Sequence, residues 1–232
     1  MSDPNKAAEE AAKAIQEVAK TGGKAIDAGQ KFGEWLSPFV RGSVAQLAGI
    51  WEDKFKYRRW ENQVRMIVRA QEFLHQRGLD LPTRTIPLKL ALPLLEVASL
   101  EDDDAMRDRW AKLLVNWADA NSGVEQNRVY AQILESIGPL EARILEVIFA
   151  NPFDRMKNGV RTDELPDASP PFDDKPLQPT IPSKEIFLAL SNLARLFCLS
   201  PANVFGGSTT FSIVVPTELG RAFVEAVTLR PR

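Results

Sequence analysis

Residues 86–120 read IPLKLALPLLEVASLEDDDAMRDRWAKLLVNWADA, and this stretch decides the fold. From Ile86 to Leu100 nearly every side chain is apolar, which predicts a helix buried on most sides, the innermost of its bundle. Pro87 suits a first helical turn, and Pro93 is expected to kink the helix or divide it in two. Ser99 with Glu101 and Asp102 resembles a capping box that opens a fresh helix. Asp103 and Asp104 would then complete an acidic first turn facing the positive end of the helix dipole. Met106, Trp110, Leu113, Leu114 and Trp117 recur at three- and four-residue spacing, so this second helix buries one broad face before Asn121-Ser122-Gly123 ends it.

On the N-terminal side, residues 5–20 form an Ala/Glu/Lys-rich helix former that Gly22-Gly23 interrupts. The following segment carries Trp35, Leu36, Phe39, Val40, Val44, Leu47 and Trp51. This stripe is too apolar to stand in water and is a candidate partner or membrane face. Residues 51–77 read as a long amphipathic helix closed by Gly78. On the C-terminal side, a helix over 124–137 precedes Gly138-Pro139, where another begins. Residues 151–182 hold seven of the sixteen prolines and no periodicity, which predicts a surface loop. Helix 183–199, a hairpin over 204–215 turning at Gly206-Gly207-Ser208, and helix 217–229 complete the chain.

The expected fold is therefore mainly α, a helical bundle followed by a small α+β, winged-helix-like C-terminal module. Its parts are an N-terminal amphipathic segment (1–50), the bundle (51–137) and the module (138–232). In a winged helix the second helix enters a DNA groove. Here Ser183 to Leu199 holds only two basic residues, Lys184 and Arg195, and Phe197 stands where such a turn usually has glycine. Protein contact is the better reading of the module, and nucleic acid is not an expected partner.

Catalytic chemistry has little to work with. The chain has one histidine, His75, and one cysteine, Cys198, too few for a His/Cys metal centre. No phosphate-binding loop is present. We expect no catalytic residues, cofactor or metal. The surviving enzyme alternative is a carboxylate–metal site at Asp102 to Asp104 and Asp108, of which Asp104 and Asp108 share a helix face. The charges nearly cancel, with 29 basic and 31 acidic residues, so no global field draws phosphate. Locally, residues 52–89 carry nine basic residues against five acids, a net of four positive charges. Within this run Lys54, Lys56, Arg58 and Arg59 are candidate contacts to an anionic surface. Neither a signal peptide nor a spanning segment is visible, which predicts a cytoplasmic protein that could lie peripheral to an inner membrane.

The segments AAKAIQEVAKTGGKAIDAGQKFGEWL (11–36), GIWEDKFKYRRWENQVRMIVRAQEFL (49–74), residues 84–120, LSNLARLF (190–197) and TELGRAFVEA (217–226) together resemble the bacterial abortive infection alpha family. The resemblance implies a bacterial cytoplasmic protein of anti-phage defence, and it brings no catalytic residues. The leading expectation is a non-enzymatic defence protein working through a protein partner or a homo-oligomer, assembled by its first fifty residues. The alternatives are a membrane-active toxin that uses residues 32–51 and a DNA-binding regulator that uses the C-terminal module.

Overall fold

The computed structural model describes residues 33, 37–40, 57–172, 182–203 and 209–229. The chain divides into two compact units, Met1–Asn127 and Arg128–Arg230. Among the described residues the first unit holds α1 (Tyr57–Gln76), α2 (Leu88–Ala98) and α3 (Asp104–Ala118). The second holds α4 (Arg128–Glu135), α5 (Pro139–Phe149), a 3-10 turn (Phe153–Met156), β1 (Val160–Arg161), α6 (Lys184–Arg195), β2 (Leu199–Asn203), β3 (Thr209–Pro216) and α7 (Glu218–Ala226). The fold is mainly α with a small α+β module, as the hydrophobic periodicity predicts.

Among the described helices of the first unit, the most enclosed is not the greasiest. Eleven of the fifteen residues of α3 are buried, against four of eleven in α2. α3 packs on both α1 and α2, so its Met106, Trp110, Leu113, Leu114 and Trp117 are covered. Facing them are Met66, Ile67, Ala70, Phe73 and Leu74 of α1 and Ala91, Leu94, Leu95 and Ala98 of α2. The buried Arg107 and Arg109 of α3 turn their guanidiniums onto backbone carbonyls, which is how charged residues enter an enclosed helix. α2 is a single helix with Pro93 inside it, not two.

The junction between α2 and α3 differs from its expected form. Ser99 caps the C-terminus of α2, and its Oγ donates to the carbonyl of Glu96 at 2.6 Å. α3 begins five residues later, with Asp103 as N-cap accepting from the Met106 N–H at 2.8 Å. Both residues are capping types, and an aspartate directly before the periodic run outcompetes a serine that already has a helical carbonyl in reach.

At its other end α3 is held by the connector that follows α1. The Ala118 carbonyl accepts from the backbone N–H groups of Thr83 and Arg84 at 3.0 and 2.9 Å. Arg84 donates to the carbonyls of Trp117, Asn116 and Val124. Arg77 and Asp119, whose side chains are 6% and 1% exposed, form an ion pair at 3.1 Å, and Asp119 also accepts from Thr83 and the Asn121 N–H.

The second unit starts at Arg128, not at 138. The apolar face of α4 (Tyr130, Ala131, Ile133, Leu134) is buried, and α4 packs with α7 of the same unit. α5 starts as expected, with Pro139 in its first turn and Glu141 reaching back to the Gly138 N–H at 3.1 Å. The proline-rich stretch is more than a surface loop. Its residues 160–161 pair antiparallel with β3 (Val160↔Val214, Arg161↔Ile213), while β3 also pairs with β2, giving the order β1-β3-β2. Met156, Val160, Thr162, Leu165 and Ser169 are buried there. A two-residue strand lies below the length at which alternation can be read.

Helix α6 ends at Arg195 rather than at 199, because Phe197 takes φ 58 and turns the chain into β2. Glycine is the residue that accepts this left-handed conformation without cost. The first turn of α7 then closes on β2. A methyl at Gly220 would stand 2.1 Å from the Cys198 carbonyl, so the glycine of TELGRAF is required for that approach.

Two outcomes follow from these contacts. Asp119→Asn leaves the Arg77 cation buried without its counter-charge and should destabilise the first unit by about 3–5 kcal/mol. A denaturant titration of the full chain that moved by less than about 1 kcal/mol would refute the clamp. Phe197→Gly should stabilise the second unit by about 1 kcal/mol, read as a raised melting temperature.

Candidate functional site

A cleft of about 370 Å³ opens in the first unit between α1 and the start of α3, lined by Arg65, Arg69, Asp104, Ala105, Arg107 and Asp108. The acidic run borders it. Every acid of that run already has a protein partner. Glu101 accepts from the Asp103 N–H at 3.0 Å, and Asp102 from Asn62 of α1 at 3.5 Å. Asp103 caps α3, Asp104 pairs with Arg107, and Asp108 takes a two-pronged contact from Arg69 at 2.7 and 3.0 Å. Asp108 and then Glu72 hold the Arg69 guanidinium well above its ordinary pKa, so the charge is permanent. Among the described residues no three His, Cys, Asp or Glu side chains are placed to share a cation. Asp104 and Asp108, the pair that shares a helix face, are drawn to two different arginines instead of to one ion.

The basic run fares similarly. Arg69 lies over the Phe73 ring at 4.5 Å as well as on its carboxylates, Arg77 is buried on Asp119, and Arg84 caps α3. These cations brace the unit internally, which subtracts them from the cationic surface that their number suggests. Lys54 and Lys56 lie outside the described residues. Arg58 and Arg59 lie in α1, and their side chains fall outside the description too.

Of the apolar stripe, Trp35, Leu36, Val44, Leu47 and Trp51 also lie outside the described residues. Phe39 and Val40 do not, and they are only 2% and 1% exposed. The Phe39 carbonyl accepts from the Ile86 N–H at 2.7 Å, and Val40 forms a parallel bridge with Ile86. These two side chains are core of the first unit, not part of an open face.

The nucleophile-bearing residues are quiet. His75 is exposed at the end of α1, 3.6 Å from the exposed Asp80. Cys198 is fully buried beside Leu199, and burial pushes its thiol up to about 12.

What the sequence reading passed over lies on α6. Its core face is Ile186, Ala189, Leu190 and Leu193, yet Phe187 and Leu188 within the same apolar run are exposed, 41% and 58%. The run Ile186–Leu190 is longer than one helical face can bury, and that was the available signal. Phe187 stands edge-on to Phe211 of β3, with ring centroids 5.0 Å apart. Phe197, at the end of the helix, is 63% exposed.

The family model of abortive infection alpha matches residues 61–227, through both units. The chain belongs to the abortive infection alpha family. Membership implies a role in abortive infection, a form of defence. No curated protein and no solved structure matches the chain. Among the described residues of this family member no helix is long and apolar enough to cross a membrane.

Because the neutral thiol is the unreactive form, Cys198 should label with a thiol reagent only once denaturant is added. Prompt labelling of the native chain would show that the thiol is reachable.

Proposed function

We propose that this abortive infection alpha protein defends its cell without chemistry of its own, by binding another protein through its C-terminal module. The observation that carries this reading is the outward side of α6, where Phe187 and Leu188 are exposed and Lys184 and Arg195 are its basic residues, fewer cations than a nucleic-acid reader needs. The connectivity supports a winged-helix-like description. A helix precedes a two-stranded hairpin whose second strand, β3, is central in the order β1-β3-β2. In the DNA-reading use of such a module, the helix before the hairpin is the one presented to the groove. Against catalysis stand the internally paired carboxylates of the first-unit cleft, the buried Cys198 thiol and the solvent-facing His75. The burial of Phe39 and Val40 weighs against membrane insertion or self-assembly through the stripe that contains them.

Plating efficiency tests the reading. Cells that carry the gene should give fewer plaques than cells without it for at least one phage of a broad panel. Equal plating across the panel would remove the defence role. Protection that vanished with Asp104→Ala or Asp108→Ala, in chains of unchanged melting temperature, would point to chemistry at the cleft and overturn the binding reading.

A further inference from the structure

At 100° per residue, the buried side of α6 faces away from a line made by Lys184, Leu188, Ser191 and Arg195, with Phe187 beside it. This line has three features that define what would cover it. Its centre holds Leu188 and Ser191, whose hydroxyl is turned onto the Phe187 carbonyl at 2.7 Å, and the Phe187 ring lies edge-on to Phe211. Of the five large apolar side chains exposed among the described residues, three fall between 187 and 197. Both ends of the line are cationic. The Arg195 guanidinium is fixed by two hydrogen bonds to Asn192 Oδ1, at 3.1 and 2.8 Å. Among the described residues neither Lys184 nor Arg195 is paired with a carboxylate, unlike Arg161 with Asp163 or Arg221 with Glu218 in the same unit.

These features choose between occupants. A second copy of the chain laid antiparallel across α6 would set Lys184 against Arg195 at both ends, a like-charge contact that opposes pairing. Two cations give a duplex few phosphates to hold, and the donors that could read base edges are turned onto the helix itself, Arg195 onto Asn192 Oδ1 and the Ser191 hydroxyl onto the Phe187 carbonyl. An amphipathic segment with apolar side chains in its middle and carboxylates at its ends satisfies both parts.

We propose that the outward face of α6 binds an acidic amphipathic segment of a partner protein, its apolar side chains over Phe187 and Leu188 and its carboxylates on Lys184 and Arg195. The proposal rests on the reading of the module as a protein binder and adds the surface and the partner's chemistry. Phe197, two residues beyond Arg195, fits it. Backbone bonds to Ala194 and Thr217 hold its left-handed turn without using the ring, which is left 63% exposed.

The test uses the full chain. A random peptide library is selected on the immobilised protein, and enriched peptides are synthesised and measured by fluorescence anisotropy. The expected peptides carry apolar residues at three- and four-residue spacing between Asp or Glu. Leu188→Asp, a change at an exposed position, should weaken them at least about tenfold. The double change Lys184→Glu and Arg195→Glu should reject them and accept their lysine-substituted counterparts. The proposal is overturned if nothing is enriched, if Leu188→Asp leaves affinity unchanged, or if duplex DNA displaces the peptides. Plating separates this proposal from the function it rests on. Should the wild-type chain restrict phage and the folded Leu188→Asp chain restrict it equally well, the face is unused while the defence reading stands. If the wild-type chain restricts nothing, the defence reading falls, and the peptide measurements alone decide the surface. Phe197→Gly adds a readout that a structural role would not give, a raised melting temperature together with lost protection.

Discussion

A helix whose C-terminal half is enclosed cannot send its terminal carbonyls to water, so the protein itself must receive them. This constraint organises the first unit. The carbonyls of Asn116, Trp117 and Ala118 at the end of α3 are met by Arg84, Gln126, Ser122 and the backbone of Thr83 and Arg84. The chain between α1 and α2 is thereby drawn across the end of α3, and Arg77 is carried with it onto Asp119. At the start of α3, Asp103 and the Arg107 contacts to the carbonyls of Glu101 and Asp102 do the corresponding work. Unmet, each of these groups would cost about 1–3 kcal/mol. Several such losses would exceed the few kcal/mol by which a domain is stable.

The same constraint explains why the charges near the cleft are poor candidates for function. Arginine presents five donors in a planar fork, and here the forks are spent on carbonyls and carboxylates of the protein. Arg69, Arg77, Arg84 and Arg107 look from their number like a cationic surface, and in space they are braces. Charge counted along a sequence carries no sign of whether a partner waits on the next helix. Asp108 lies 39 residues from Arg69 in the chain, and Asp119 lies 42 from Arg77.

Most of the helical architecture was legible because its signals are local. Periodicity placed α1, α3, α5, α6 and α7, and Pro139 with Gly138 marked a helix start to the residue. What failed was everything decided by neighbours. The apolar run 86–100 reads as the innermost helix, yet enclosure depends on how extensively neighbours cover a helix, and α3 lies along α1 far more closely than α2 does. β1 is two residues long and exists because β3 offers it an edge, and no pattern within 151–182 announces it. The split at Asn127 depends on where α4 finds its cover. The α6 surface was half legible. Its excess of apolar residues is plain in IFLAL, whereas which of them stay outside was set by α5 and β2, the elements that α6 packs against.

Phe197 joins these threads, because it breaks a local rule and is held there by backbone hydrogen bonds more than by its side chain. In the first unit, departures from sequence expectation were explained by a partner. Arg107 and Arg109 are buried because carbonyls receive them, and Ser99 loses the cap because Asp103 holds the better position. For Phe197 the partners are on the backbone alone: its N–H donates to the Ala194 carbonyl at 2.9 Å, its carbonyl accepts from the Thr217 hydroxyl at 2.6 Å, and its side chain is largely in solvent. Those backbone bonds would serve a glycine equally well, so they hold the turn without accounting for the phenylalanine. The exposed ring stands at the end of the helix whose outward side carries Phe187 and Leu188 between Lys184 and Arg195. The position that violates the rules of folding and the surface that violates the rules of solvation therefore lie on the same fourteen-residue stretch, Lys184 to Phe197.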